Sequence, residues 1–302
     1  MQNQYKKPYW TLHRKQNLTG WGFLALASIL IFVMYFWPML QALLLSFQGG
    51  VGSKLKWVGL RNYQYMLKDS NFLTTLRNNF IYLAIQVPIM LLLALALASM
   101  LNNPRLRLRG LFRTAIFLPC ATSLVAYSII FRSLFALDGM VNTTLIHLGI
   151  IKEGINWLAN VTNPGYGRFV IILALLWRWT GYNMVFYLSG LQNIEPSIYE
   201  AARIDGAGPL RQFFGITVPL LKPTILLTAI LSTNGTLQLF DESVNMTAGG
   251  PGYETMTMSH YIFNTSFTGT PKLGYAAAIS FVIFVLVATL SLIQIKVGDK
   301  RD

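Results

Sequence analysis

Reactive and acidic side chains are scarce in this sequence: one cysteine, three histidines, and 11 Asp and Glu against 24 Lys and Arg in 302 residues. A lone Cys120 can form no intrachain disulfide and no cysteine-based metal site; it reads as a small apolar residue inside a membrane span. His13, His147 and His260 stand far apart without ligand spacing, so neither a metal centre nor an acid–base site is expected. No lysine is followed by Ser or Thr, which excludes a G-x-x-x-x-G-K-[ST] phosphate loop. The GGPG at 249–252 lacks the flanking strand and helix of a dinucleotide fingerprint and reads as turn chemistry. Paired carboxylates, a nucleophile elbow and a metal cluster are also missing, so the chain is not expected to be an enzyme.

Charge is thin overall. Only 12% of residues are charged and 54% are hydrophobic, about half the charge fraction of an ordinary soluble domain. A helix needs roughly 20 mostly apolar residues to cross a bilayer, and the stretches 20–47, 72–101, 112–134, 168–191, 223–244 and 273–295 qualify. The expected fold is an all-α membrane protein of about six transmembrane helices, forming a single transmembrane domain over residues 1–302. The first stretch follows a basic leader but runs past a signal-peptide h-region without a small-residue cleavage site, so it reads as a retained span.

The net charge of +13 comes in short blocks between the spans, which argues against nucleic acid and for topology. Placing both termini in the cytoplasm puts Lys6, Lys7, Arg14, Lys15, the 105–113 arginines, Arg203, Arg211, Lys222, Lys296, Lys300 and Arg301 inside. Lys54, Lys56, Arg61, Lys68, Lys152, Arg168 and Lys272 are then outside, and Arg77, Arg132 and Arg178 fall in spans. Residues 1–19 form a cytoplasmic tail in this arrangement. The cluster from Lys54 to Lys68 runs against the rule.

Between spans, residues 49–71 fit an external loop with a short interfacial helix. Pro88 and Pro119 are expected to kink their spans rather than break them. The fifth span is unusually polar, with Ser232, Thr233, Asn234, Gly235, Thr236 and Gln238 followed by Asp241 and Glu242. Such groups must face protein or water, so this face is expected to border a wet pathway, helix–helix adhesion being the alternative. Arg178, between Trp177 and Trp179, needs an acidic, carbonyl or water partner; a structural ion pair and a solute contact fit equally.

Residues 194–223, IEPSIYEAARIDGAGPLRQFFGITVPLLKP, are too polar to cross and too regular for a linker. They read as two short helices. Ser197 and Glu200 have capping-box spacing, which starts a helix at Ser197. Ala201 and Ala202 extend it, Gly206 and Gly208 permit a stop, and Pro209 opens the second segment. A flat alanine face rimmed by Glu200, Arg203 and Asp205 suits docking into another protein's groove.

The segment EAARIDGAGPLRQFFGITVPLLKP resembles the EAA loop of permease subunits of binding-protein-dependent ABC importers, with Glu200, Ala201, Ala202, Asp205, Gly206 and Ala207 matching as they stand. WVGLRNYQYML, RGLFRTAIFLP, WRWTGYNMVFYLSGLQNI and FDESVNMTAGGPGYET resemble the carbohydrate branch, the maltose-type sugar permeases, so the likeness spans nearly the whole chain. It implies a bacterial sugar import permease in the cell membrane, for an oligosaccharide or glycoside, with the loop as a cytoplasmic coupling helix carrying Ser197, Glu200, Ala201, Ala202, Arg203, Asp205, Gly206 and Ala207. The implied partners are a second homologous permease, two cytoplasmic ABC ATPases that hold ATP and Mg, and an extracytoplasmic solute-binding protein; no cofactor is bound by this chain. The chain lacks the extra N-terminal spans and large external domain of the best-known maltose subunit, so solute contacts do not transfer wholesale. On its polar faces, Trp179, Asn183, Asn234, Gln238 and Asp241 are the candidates, aromatics for stacking and amides or carboxylates for hydroxyls. An ATP-independent secondary transporter or channel is the competing reading, with Asp241 and Glu242 for ion coupling.

Overall fold

The computed structural model describes residues 12–51 and 54–298. Lys6, Lys7, Lys300 and Arg301 lie outside the described residues, as do positions 1–11 of the expected tail; from Leu12 the chain is already helical.

Among the described residues, five helices are long and apolar enough to span a membrane: α1 (Lys15–Ser46), α3 (Ser70–Leu101), α7 (Gly165–Gln192), α9 (Pro209–Leu237) and α12 (Leu273–Gly298). Between them come α2 (Arg61–Met66), α4 (Arg109–Ala121), α5 (Leu124–Leu134), α6 (Met140–His147), α8 (Pro196–Ile204), α10 (Asp241–Asn245) and α11 (Met258–Phe267). Helices α4 and α5 are long and apolar enough only as a pair, bent by 98° at Thr122 and Ser123. Pro119 therefore precedes a break, not the expected kink. Its missing N–H weakens the last turn, and Thr122 leaves the helix with extended backbone at ψ 152 while its hydroxyl donates to Pro119 O at 2.7 Å. Pro88 behaves as expected, inside a continuous α3.

Two other prolines explain local widening. Pro38 and Pro219 each follow a π-helical turn, Phe32–Phe36 and Phe213–Thr217. A widened turn draws back the carbonyl that a proline ring would strike and that no proline N–H could satisfy. The fifth span accordingly begins at Pro209 and ends at Leu237, instead of covering 223–244. What reads in sequence as the second short helix of the 194–223 loop is its first turns, and Asp241 and Glu242 sit in the separate α10.

The all-α expectation also omits a small hairpin, β1 (Gln48–Val51) paired antiparallel with β2 (Lys54–Trp57), Gln48 opposite Trp57. Phe47 stacks on Trp57 at 5.5 Å, and Asn62 donates to Ser46 O and Gln48 O, both at 2.8 Å, fastening the hairpin to α2. The interfacial helix expected in this segment is α2.

Packing centres on α3 and α7. On the loop side, Ala94, Leu95 and Ala98 of α3 meet Met184, Tyr187 and Leu191 of α7 and Leu221 of α9. Toward the other face, Tyr82 packs with Tyr127, Phe131, Val170, Ile171 and Leu239. A third cluster joins Phe72, Leu237, Met258, Tyr275 and Ile279. A polar stripe on α3, Asn78, Asn79, Tyr82 and Gln86, recurs at helical spacing and is almost wholly buried. Asn78 donates to Tyr253 O and Met256 O at 2.9 Å, Asn79 to Leu237 O at 2.9 Å, and Tyr82 to Thr255 O at 3.1 Å. Away from water each such bond satisfies a group that is costly to leave unmade. The stripe thereby fixes the end of α9 and the turn at 249–255 above the centre of the bundle.

Candidate functional site

Where α9 ends, the chain leaves a cavity of about 350 Å³ bordered by α3, α5, α7, α9 and α10. Its wall carries Trp179, Tyr182 and Asn183 from α7, Ser232, Gly235 and Thr236 from α9, Gln86 and Met90 from α3, and then Gln238, Phe240, Asp241 and Glu242. Four of the five sequence candidates, Trp179, Asn183, Gln238 and Asp241, meet here. Asn234 is not in the wall; it is exposed one turn before Gln238 and accepts that residue's amide. Asn183 is 2% exposed and spends its amide on Trp179 O at 3.0 Å, so its role is partly to hold α7 in shape.

Sequence reasoning did not select Gln86 or Tyr182 for the cavity; Thr236 and Glu242 it placed on the polar face of the fifth span without choosing them as solute contacts. Gln86 accepts from Thr236 Oγ1 at 3.0 Å, tying α3 to α9 at the wall. Tyr182 meets Trp179 edge to face at 5.7 Å, forming an aromatic corner. Glu242 is 3% exposed and accepts a hydrogen bond from Tyr127 Oη of α5. The four-residue spacing of polar groups from Asn78 through Tyr82 to Gln86 was a readable sign that this face of α3 turns inward.

Arg178 finds carbonyls rather than a carboxylate. Its Nη1 donates to Thr122 O at 2.7 Å and Pro119 O at 3.3 Å, and its Cζ lies 4.7 Å from the centre of the Tyr127 ring. Thr122 O is a carbonyl freed where α4 ends, and Pro119 O, which already accepts from the Thr122 hydroxyl, gains a second donor. The guanidinium therefore caps the break between α4 and α5 and does not line the cavity, so the cavity wall's charged side chains are Asp241 and Glu242.

On the opposite face lies α8. Pro196 at its first turn sets Glu195 as N-cap, and no side-chain cap bond forms; the capping box expected at Ser197 and Glu200 is absent, because a proline at N1 already starts the helix one residue earlier. Ser197 instead reaches toward Glu195 at 3.4 Å. The stop at Gly206 does form. Gly206 has φ +76, Ala207 N donates to Ala202 O at 2.8 Å and Gly206 N to Arg203 O at 3.1 Å, the two bonds of a Schellman ending.

The alanine pair divides: Ala201 is exposed and Ala202 half-buried with Tyr199. Ile204 is 87% exposed among Glu200, Arg203 and Asp205, and the sequence reading passed over it. From the inner side, Tyr199 Oη is 2.9 Å from Thr217 Oγ1, within the π-turn of α9. That contact connects α8 to a single 29-residue helix whose far end forms part of the cavity wall.

Comparison with known proteins agrees with this arrangement. The family described as binding-protein-dependent transport system inner membrane component matches residues 90–297. The lactose transport system permease protein LacF of Rhizobium radiobacter is 51% identical over 293 residues, 96% of this chain and 97% of that one. The arabinooligosaccharides transport system permease protein AraP of Halalkalibacterium halodurans is 32% identical, over 94% of this chain and 89% of its own. A chain of a bacterial ABC transporter involved in the import of the acidic polysaccharide alginate shares the fold, with a TM-score of 0.82 and 21% identity over 95% of this chain and 97% of that chain. An exposed loop helix joined to a cavity, on a chain whose residues 90–297 match the family and whose relatives cover it almost end to end, identifies it: the protein belongs to the inner membrane components of binding-protein-dependent transport systems.

Proposed function

We propose that this chain is one permease half of an ATP-driven importer of a neutral oligosaccharide or glycoside. A second, homologous permease completes the pathway, a solute-binding protein delivers the sugar, and two ATPases receive α8 in a cleft and hold the ATP and magnesium. The observation that carries the coupling is the exposed α8: an apolar Ile204, 87% exposed and ringed by charges on a helix with no buried residue, has the character of an interface anchor. The family supports the binding protein, and the 51% identical lactose permease supports a sugar.

The geometry supplies a mechanism. ATPase closure moves α8, Tyr199 pushes on Thr217, and α9 carries the displacement along its length to Ser232, Gly235 and Thr236 at the cavity. Trp179, Tyr182 and Phe240 offer faces for sugar rings, and Gln86, Gln238 and Asp241 offer partners for hydroxyls. Two carboxylates with no lining cation oppose an anionic cargo.

Reconstitution of the complex with its binding protein tests this reading, using lactose and arabino-oligosaccharides as first cargoes. One of them should stimulate ATP hydrolysis. Gln238→Ala, in the wall, should lower uptake about tenfold, the scale of losing one or two hydrogen bonds to solute. Asn234→Ala, which leaves the wall intact but frees the Gln238 amide, should lower uptake less than Gln238→Ala does. Uptake driven by an ion gradient with no ATPase present would replace this reading with the secondary transporter.

A further inference from the structure

We propose that a second groove, between α3 and α7 on the membrane half away from α8, holds one anionic phospholipid, its phosphate on Arg77 and an acyl chain along Ile81, Ile85 and Ile89. The groove, about 380 Å³, shares no lining residue with the cavity at the end of α9 and is otherwise walled by Gly165, Arg168, Phe169, Ile172, Leu173 and Leu176 of α7. Arg77, Ile81, Ile85 and Ile89 recur every fourth residue, so the arginine heads a single stripe of isoleucines on one helix face. From Arg77 to Ile89 the helix rises roughly 18 Å, close to the depth of one leaflet, about half of a 30 Å hydrocarbon core.

Charge selects the headgroup. Arg77 and Arg168 converge on one carboxylate, Glu254, leaving the trio one positive charge in excess. Arg168 is committed there, donating to the Glu254 carboxylate and, through Nε, to its carbonyl at 2.8 Å. Arg77 gives Glu254 one donor at 2.7 Å, keeps its side chain 57% exposed, and makes no other side-chain bond among the described residues. An exposed guanidinium with spare donors suits a phosphate more than any apolar protein surface. Trp157 and Tyr166, 5.3 Å apart, stand beside Phe169 near the same end, the residue types that settle at headgroup level. The site does not depend on the sugar reading. It would couple to transport because Glu254 belongs to the turn that α3 holds over the cavity.

The test is native mass spectrometry of the chain purified in its membrane assembly from nanodiscs of phosphatidylcholine with or without phosphatidylglycerol. One phosphatidylglycerol per copy of this chain should survive, be lost from Arg77→Gln and from Ile85→Trp, which fills the groove, and persist in Leu292→Trp on the exposed face of α12. Inorganic phosphate should not displace it. Equal retention of phosphatidylcholine, displacement by phosphate alone, indifference to both groove variants, or a cross-link from position 85 to the partner permease in place of lipid would each overturn the proposal.

Discussion

Replacing Gly206 with valine lowers ATP-driven uptake about tenfold or more while the chain inserts and assembles normally. The residue sits at φ +76 in the turn that ends α8, where a β-branched side chain is a true outlier. Left-handed backbone costs an ordinary L-residue roughly 1–2 kcal/mol, and about 1.4 kcal/mol is a factor of ten. The strain is relieved by opening the two closing bonds, Ala207 N to Ala202 O and Gly206 N to Arg203 O, which re-aims Arg203, Ile204 and Asp205. Nothing lies within 4 Å of a side chain added at this glycine, so packing of the spans is untouched. Gly206→Asp strains the backbone less but sets a second negative charge beside Asp205, and is expected to act in the same direction. Uptake into proteoliposomes, normalised to inserted protein, checks both; wild-type uptake in both would remove α8 from coupling.

Gly181→Ala has the larger effect on the protein itself. A Cβ there would lie 2.0 Å from Ile116 O and 3.0 Å from Phe117 Cα, which are backbone atoms and cannot rotate away. Helix α4 must retreat by about 1 Å to restore ordinary contact, and its end is where Arg178 bonds Thr122 O and Pro119 O. Overpacking costs about 1–3 kcal/mol, and leaving buried carbonyls and a guanidinium unpaired adds about 1–3 kcal/mol for each group. That sum approaches the whole margin of a marginally stable protein, about 5–15 kcal/mol. The yield of monodisperse protein after size-exclusion chromatography should drop about tenfold, whereas Gly215→Ala, with open space around it, should purify like wild type. A normal yield of Gly181→Ala would mean that the α4–α7 contact is looser than described.

Of these two glycines only Gly206 was legible. The stop there follows from local chemistry, since Gly in Gly-Ala-Gly-Pro after a helical run has few other uses. The close approach at Gly181 needs α4 placed against α7, which no local pattern specifies. The spans themselves are readable because hydrophobic length is a strong signal in membranes: five appear as long helices and the third as the bent α4–α5 pair. The errors cluster at prolines. Pro196 at N1 displaced the capping box, Pro119 precedes a break instead of a kink, and Pro219, which falls in the polar 194–223 stretch, is admitted to α9 by a π-turn. At Pro119 the decision belongs to a residue far away in sequence, Arg178, which takes the carbonyls at the break. The cavity was half legible for the same reason. Trp179, Asn183, Gln238 and Asp241 stand out as polar groups near span centres and ends, but Gln86, Tyr182 and Glu242 join them only once α3, α7 and α10 converge.

Coupling turns on one lever: α8 outside the spans, Tyr199 against Thr217, and α9 reaching the cavity. If ATPase binding and solute movement are joined through this element, its most exposed apolar residue must lie inside the ATPase cleft. A photo-reactive amino acid at position 204, in the assembled complex during turnover, reads that contact directly. The expected result is an adduct with the ATPase that stops sugar-stimulated hydrolysis; no ATPase adduct in a complex that still imports sugar on ATP would contradict the account.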